Sequence, residues 1–342
     1  MSENILKFTF LAVMIAVILI GQQLSGAKSE PLVHTDIQAQ TPYALTSAVT
    51  GESLGTAPGT AMGEPRVLAE SAPQVKTAEA AALNSREAVA VFRRFRFDPP
   101  PNSMAAAAIL MDFATGEVYY ELAPGKRWPI ASITKLVTAV VALRNLDGAL
   151  PVTIARSDIV AYDPETKIKE GDSFRVRDLL RLLLIVSNNE AAEALARTYG
   201  RENFLNAMNA TAKEWGFMST HFSDPTGLSF ANQSTPAELW ELSRRIYAER
   251  PDIFQITRSK IMNVTELNSQ KIIELKNINL FAGRADFLGG KTGHTQEAGD
   301  NLLTIFSHEG RPVFVAVLGA EDRFAETDKL INWFKINFTA KR

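Results

Sequence analysis

Apolar and polar positions follow two periodicities along the chain, and together these predict a sheet and a set of helices. Short apolar segments flank turn residues near both ends of the region after residue 100, which is typical of hairpins: Ala105–Met111 with Glu117–Leu122, and Asn301–Ser307 with Pro312–Leu318. Between them, apolar residues recur at helical spacing in Val176–Val186, Glu190–Tyr199, Arg201–Trp215 and Pro236–Ala248. A last helix is predicted from Ala325 to Phe338. This order predicts an α+β fold, with an antiparallel sheet flanked by helices, a helical lobe and a cleft between them.

The first hundred residues have a different pattern. Phe8–Ile20 is apolar except for Thr9, and a run of about 13 residues has the usual length of a signal peptide's apolar region. Small residues at Ser25–Ala27 favour cleavage, whereas the long segment that follows favours a retained anchor. Residues 28–100 are rich in Ala, Ser, Thr, Gly and Pro without apolar periodicity, which is typical of a flexible linker. We therefore expect a signal peptide or membrane anchor at 1–27, a linker at 28–100, a catalytic domain at 101–342 and an extracytoplasmic location.

Composition excludes several classes of function. The net charge is −2, and the chain has no long basic stripe, which argues against nucleic-acid binding. The absence of cysteine rules out disulfides and thiolate metal sites. The histidines His34, His221, His294 and His308 are scattered and lack the spacing of a zinc hydrolase. We expect no metal and no cofactor.

The segment Pro129–Leu136 carries the first candidate chemistry. It places Ser132 and Lys135 three residues apart at a predicted helix start, where positions i and i+3 share one face. Burial against the apolar face of that helix favours the uncharged form of the lysine amine, which can then accept the serine proton. About one S-x-x-K is expected by chance in a chain of this length, and a second copy occurs at Ser25–Lys28. The pair therefore needs support from elsewhere.

That support comes from two further motifs in order. The S-x-N triplet Ser187–Asn189 follows an apolar helix, and the K-T-G triplet Lys291–Gly293 follows an apolar segment near the second hairpin. S-x-N is a weak pattern, whereas K-T-G is expected by chance in fewer than about one in ten such chains. The ordered trio S-x-x-K, S-x-N and K-T-G is the signature of serine enzymes that recognise penicillin.

The similarity extends beyond the three motifs. From Ala105 to Phe338 the chain resembles the D-alanyl-D-alanine carboxypeptidase family of low-molecular-mass penicillin-binding proteins. The stretches that carry the resemblance are Asp112–Gly116, Glu170–Asp172, Ser187–Ala192, Asp224–Leu228, Asn277–Leu280, Lys291–Thr295 and Ala298–Gly299. The resemblance implies the serine β-lactamase/D,D-peptidase-like fold, peptidoglycan stem peptides ending in D-Ala-D-Ala as substrates and β-lactams as inhibitors.

The resemblance also implies roles for the motif residues. Ser132 attacks the carbonyl of the penultimate D-alanine, Lys135 is its base, and the backbone N–H groups of Ser132 and His294 form the oxyanion hole. Ser187 passes a proton to the leaving amine, and Asn189 holds the substrate amide. A helix-capping turn before Glu190 is the structural alternative for both.

The remaining implied roles concern the substrate's carboxylate end. Lys291 and Thr292 supply a positive charge and a hydroxyl to the terminal carboxylate, and Gly293 lets the peptide backbone approach closely. Arg323 is placed where relatives have a carboxylate-binding arginine, and a surface arginine at a helix start is the alternative.

Three other functions stay open. A class A β-lactamase needs a deacylating glutamate in an E-x-x-L-N-type loop. The only similar segment, Thr265–Asn268, lacks glutamate at the first position, and it is predicted to continue a strand toward Asn277. A D,D-endopeptidase uses the same residues as a carboxypeptidase. A vestigial wall-binding module is disfavoured because every catalytic position holds a competent residue.

Overall fold

The computed structural model describes residues 91–160 and 168–340. The predicted signal or anchor at 1–27 and the linker up to residue 90 lie outside the described residues. The strands are β1 Phe92–Arg94, β2 Ala107–Asp112, β3 Val118–Leu122, β4 Trp128–Pro129, β5 Pro151–Thr153, β6 Ser173–Arg175, β7 Gln233–Ser234, β8 Ile261–Thr265, β9 Ile272–Lys276, β10 Phe287–Thr295, β11 Gly299–His308, β12 Arg311–Ala320 and β13 Phe338–Ala340. The α-helices are α1 Lys135–Asn145, α2 Val176–Ile185, α3 Asn189–Tyr199, α4 Arg201–Glu214, α5 Pro236–Glu249, α6 Pro251–Arg258 and α7 Arg323–Asn337.

The main sheet is antiparallel and has five strands in the order β10-β11-β12-β2-β3. Both predicted hairpins are confirmed, as β2–β3 and β11–β12. They join where β12 pairs with β2, with Val313 opposite Asp112 and Val317 opposite Ala108. This pairing of the two hairpins leaves β10 at one edge of the sheet, and β10 contains the K-T-G triplet.

Both faces of the sheet are covered. Alternate side chains such as Ile109, Leu303 and Phe314 pack with the helices between the two hairpins, because successive strand residues point to opposite faces. Their neighbours, including Leu110 and Val315, pack against α7 in a second apolar cluster. The predicted α+β architecture, an antiparallel sheet with flanking helices and a helical lobe, is confirmed.

The helices agree with the predicted segments to within a few residues, but α6 was missed. Arg250 is the single residue between α5 and α6, and Pro251 begins α6 at a position where proline is favoured. The prediction that Thr265–Asn268 continue a strand is wrong beyond Thr265. β8 ends at that residue, and Glu266 accepts backbone N–H groups that close the turn into β9.

The folded part begins earlier than the predicted boundary at residue 101. β1 lies within the predicted linker at 28–100, yet it pairs with β13, with Phe92 opposite Ala340. Phe92 is only 3% exposed because its ring packs edge-on against Tyr119 and Phe334. A single buried aromatic side chain has no periodicity, so composition could not distinguish β1 from the segment that precedes it. None of the helices within the described ranges is both long and apolar enough to cross a bilayer.

Candidate active site

Ser132 lies in a 3-10 turn, Ala131–Thr134, that leads directly into α1. The Nζ atom of Lys135 lies 2.8 Å from the Ser132 Oγ atom, within hydrogen-bonding distance, so the predicted contact is present. The turn is tight, since Ala131 has a φ of 48°, a left-handed conformation that costs a residue with a side chain about 1–3 kcal/mol. The strain falls on the residue that precedes the serine.

Lys135 is completely buried, with 0% of its surface exposed. Its Nζ atom also donates to the side-chain oxygen of Asn189 at 2.8 Å and to the backbone carbonyl of Thr226 at 2.6 Å. Asn189 was predicted as a site residue, whereas Thr226 was not. The Asp224–Leu228 stretch was noted only for its resemblance, and a backbone carbonyl leaves no signal in the residue type.

Ser187 and Lys291 form the opposite side of the site. The Nζ atom of Lys291 donates to Ser187 Oγ and to the Thr292 carbonyl, both at 2.9 Å. Burial holds the pKa of Lys291 well below its usual range, and the nearby charges of Lys135 and Arg323 add to this effect. The Lys291 amine contacts the Ser187 hydroxyl, and its predicted role as a positive charge for the substrate carboxylate stays a prediction.

The loop before α3 divides its functions among neighbouring residues. Asn188 caps the helix, because its side-chain oxygen accepts the Ala191 N–H at 2.7 Å. Ser187 has a φ of 59° and faces Lys291. The capping alternative therefore applies to Asn188, and it leaves Ser187 and Asn189 in contact with the two lysines.

Gly293 makes a close approach, but to the protein's own backbone. A Cβ atom at this position would lie 2.6 Å from the Ile130 carbonyl oxygen and 3.1 Å from the Ser132 nitrogen. The predicted reason for glycine here was access for a substrate backbone. The structure adds a second reason, which is that β10 must pass directly against the serine turn.

His294 and Arg323 lie at the rim of the cleft and share one carboxylate. The Asp300 carboxylate lies 2.7 Å from His294 Nδ1, within hydrogen-bonding distance, and it forms an ion pair with Arg323 at 3.1 Å. Arg323 Nη1 also donates to the Gly293 carbonyl at 2.7 Å. Burial lowers the pKa of Arg323, while Asp300 and Asp322 oppose that shift. Arg323 is the first residue of α7 and lines the cleft, and its side chain is only 17% exposed, which does not fit the surface alternative. Its role in binding a carboxylate stays a prediction.

The cleft lies between the sheet edge and the helical lobe. Its lining residues are Ser132, Ser187, Ile278, Thr292, Gly293, His294 and Arg323. Ile278 was not predicted; its N–H donates to the Ile185 carbonyl, which places it beside the loop that carries Ser187. Within residues 91–160 and 168–340, no group of three or more His, Cys, Asp or Glu side chains is arranged to hold a metal ion.

The chain is similar to known proteins in both sequence and fold. The sequence model of the D-alanyl-D-alanine carboxypeptidase family matches residues 95–322. A D-alanyl-D-alanine endopeptidase of Pseudomonas aeruginosa is 32% identical over 69% of this chain and 82% of its own length. The D-alanyl-D-alanine carboxypeptidase DacD of Escherichia coli is 32% identical over 71% of this chain and 66% of its own. The ampicillin-bound structure of penicillin-binding protein D2 from Listeria monocytogenes superposes with a TM-score of 0.61 at 29% identity, covering 69% of this chain and 98% of that one.

Proposed function

Because the chain belongs to the D-alanyl-D-alanine carboxypeptidase family, we propose that it removes the terminal D-alanine from peptidoglycan stem peptides that end in D-Ala-D-Ala. It is a hydrolase of the serine peptidase type, with the fold of the D,D-peptidases and penicillin-binding proteins. The observation that carries the proposal is the 2.8 Å contact between Lys135 Nζ and Ser132 Oγ inside the cleft.

The first half of the reaction acylates Ser132. Lys135 takes the hydroxyl proton as Oγ bonds to the carbonyl carbon of the penultimate D-alanine. The backbone N–H groups of Ser132 and His294 receive the negative charge that develops on the carbonyl oxygen, a kind of stabilisation commonly worth about 3–4 kcal/mol. Collapse of this intermediate breaks the C–N bond and releases D-alanine.

The leaving amine needs a proton, which is the one that Lys135 took from Ser132, and the Ser187 hydroxyl is suited to pass it on. Lys291 Nζ holds that hydroxyl in place through their 2.9 Å contact. Thr292 and Arg323, which also line the cleft, hold the terminal carboxylate of the substrate. Water then hydrolyses the ester on Ser132. Penicillins, which acylate the same serine, inhibit the enzyme.

The experiment is to incubate the purified protein with a muropeptide that ends in a pentapeptide and to measure released D-alanine. Ser132→Ala should release none and should not be labelled by a fluorescent penicillin. Ser259→Ala, which changes a hydroxyl on a half-buried residue that bonds only locally to the Gln255 carbonyl, serves as the matched control and should behave like the unaltered enzyme. Labelling that persists in Ser132→Ala would refute the assignment of the nucleophile.

A D,D-endopeptidase that cleaves peptidoglycan cross-links is the second candidate. The observation in its favour is that relatives 32% identical to this chain, from Pseudomonas aeruginosa and Escherichia coli, carry the name D-alanyl-D-alanine endopeptidase. A cross-linked muropeptide dimer and a pentapeptide monomer should be offered in one reaction. Faster cleavage of the dimer would assign the endopeptidase activity, and faster release of D-alanine the carboxypeptidase activity.

We also propose that the enzyme acts outside the cytoplasm, through the apolar segment Phe8–Ile20. Mass spectrometry of the N-terminal peptide from membrane and soluble fractions tests this. A chain that retains Met1 in the membrane fraction indicates an anchor, and one that begins near residue 28 in the soluble exported fraction indicates a cleaved signal. Recovery of the intact chain in the cytoplasm would contradict export.

A further inference from the structure

The carboxylate of Asp224 organises a tight loop on the helical side of the site. It accepts the backbone N–H groups of Thr226, Gly227 and Ser229 at 2.7, 2.6 and 2.8 Å. The Thr226 hydroxyl and the Asn232 side chain donate to it at 2.6 and 2.9 Å. Burial alone would raise the pKa of this carboxyl, yet the hydrogen bonds outweigh burial and lower it. Asp224 is therefore held as an anion at the centre of the loop.

This loop contacts both reacting groups of the site. The Thr226 carbonyl lies 2.6 Å from Lys135 Nζ. The next residue, Gly227, has a φ of +89°, and a Cβ atom there would overlap the carbonyl oxygen of Ala131 and lie 2.9 Å from the Ser132 nitrogen. The loop is tied to α1 as well, because Thr138 donates to the Pro225 carbonyl at 2.6 Å. The Asp224 carboxylate thus sets the position of a loop that contacts the base, Lys135, and packs against the backbone of the nucleophile, Ser132.

The direction of the lysine lone pair follows from these contacts. An uncharged amine has two N–H bonds and one lone pair. The Asn189 side-chain oxygen at 2.8 Å and the Thr226 carbonyl at 2.6 Å can accept the two N–H bonds. The lone pair of Lys135 is then left to face Ser132 Oγ at 2.8 Å. If the Thr226 carbonyl moved away, the amine could rotate, and the lone pair would no longer be directed at the serine.

We propose that Asp224 is a positioning residue for acylation, which holds the Thr226 carbonyl on Lys135 and so aims the lysine lone pair at Ser132. This inference rests on the proposed function, because it assumes that Ser132 is acylated. It assigns a role to the Asp224–Leu228 stretch, which sequence reasoning connected only with family resemblance.

The test is Asp224→Asn, measured by stopped-flow acylation with a fluorescent penicillin. Asparagine keeps one acceptor oxygen but presents its NH₂ group to the Ser229 and Asn232 donors, which pushes the loop apart. We expect the acylation rate constant to fall by about 10- to 100-fold, because misplacement of a reacting group by about 1 Å can cost about 100-fold. The dissociation constant of the non-covalent complex should change little, since the carboxylate contacts lie on β10 and α7.

Glu266→Gln is the matched control. Glu266 closes a similar turn, and it accepts from Ser173, Asn268 and Ser269, with the Ser269 hydroxyl at 2.6 Å. Neither Glu266 nor any of these partners lines the cleft. The control should lower the melting temperature to a similar degree and acylate at the rate of the unaltered enzyme. Thr226→Val removes the 2.6 Å hydroxyl contact with Asp224 and the 3.1 Å contact from the Leu228 N–H, and it leaves the backbone N–H bonds to Asp224 in place. It should lower the same rate constant by a smaller factor, and it tests the inference if Asp224→Asn does not fold.

Each outcome has a distinct meaning. Acylation of Asp224→Asn within about threefold of the unaltered enzyme overturns the inference, and so does an equal rate loss in Glu266→Gln at an equal loss of thermal stability. A weakened dissociation constant with an unchanged acylation rate also overturns it, because that would assign Asp224 to binding. If the unaltered enzyme itself is not labelled, the proposed function fails, and the failure is visible before any variant is compared.

Discussion

Gly293→Ala should separate the strand that carries the K-T-G triplet from the turn that carries the nucleophile. The added methyl group would lie 2.6 Å from the Ile130 carbonyl oxygen, and ordinary contact begins at 3.4 Å. The two backbones must therefore move apart by about 0.8 Å. Neither side yields easily, because Ile130 N–H donates to the Asn232 carbonyl at 2.9 Å and Asn301 donates to the Pro129 carbonyl at 2.8 Å.

The expected loss can be worked from that displacement. The proposed oxyanion hole takes one N–H from each backbone, from Ser132 and from His294, so the shift moves one donor relative to the other. Loss of one such donor costs about 100- to 1,000-fold in rate, and misplacement by about 1 Å costs about 100-fold. We therefore expect acylation by penicillin to fall by about 100-fold. Overpacking of this kind also destabilises the fold, by about 1–3 kcal/mol.

The assay is the second-order rate of labelling by a fluorescent penicillin, measured below the melting temperature of each variant. Gly125→Ala is the control, since a Cβ atom at Gly125 meets nothing within 4 Å. It should label at the rate of the unaltered enzyme. If Gly293→Ala labels within about threefold of that rate, the close approach of β10 to the serine turn does not set the geometry of acylation, and the reasoning is wrong.

Three further predictions address other groups. Lys135→Met should lower the acylation rate by about 100-fold or more, because a general base contributes about 10²–10⁴-fold; stopped-flow labelling measures it. Arg323→Gln should lower the preference for a D-Ala-D-Ala peptide with a free carboxylate over the corresponding amide by about tenfold, measured as the ratio of the two kcat/KM values. Tenfold corresponds to the lower end of the contribution of a hydrogen bond to a charged group. Hydrogen bonds from Ser269 and Ser173 lower the pKa of Glu266 from 4.5 to about 2. The contribution of Glu266 to the free energy of unfolding is thus present above pH 4.5 and lost as the pH falls toward about 2. Chemical denaturation across that pH range should show a smaller decrease in the free energy of unfolding for Glu266→Gln than for the unaltered protein.

The elements of the fold could be predicted from the sequence because their signals are local. Short apolar segments beside turn residues identified β2, β3, β11 and β12, and helical spacing identified most of α2 to α5 and α7. The contact between Ser132 and Lys135 was also predictable, since three residues of helical chain fix their relative position. α6 and β1 were missed because they lack such a local signal. α6 begins with a proline directly after another helix, and β1 depends on a single buried ring.

The tertiary structure decided what surrounds that pair. Lys291 meets Ser187 across 104 residues of chain, and the Thr226 carbonyl meets Lys135 across 91. A carbonyl acceptor belongs to every residue type, so no motif could reveal Thr226. Burial likewise depends on packing from several elements, and it is the main cause of the lowered pKa of Lys291, ahead of the nearby charges of Lys135 and Arg323. Residue types and short spacings specified which groups are available, whereas the packing of distant segments determined which of them meet and in which protonation state.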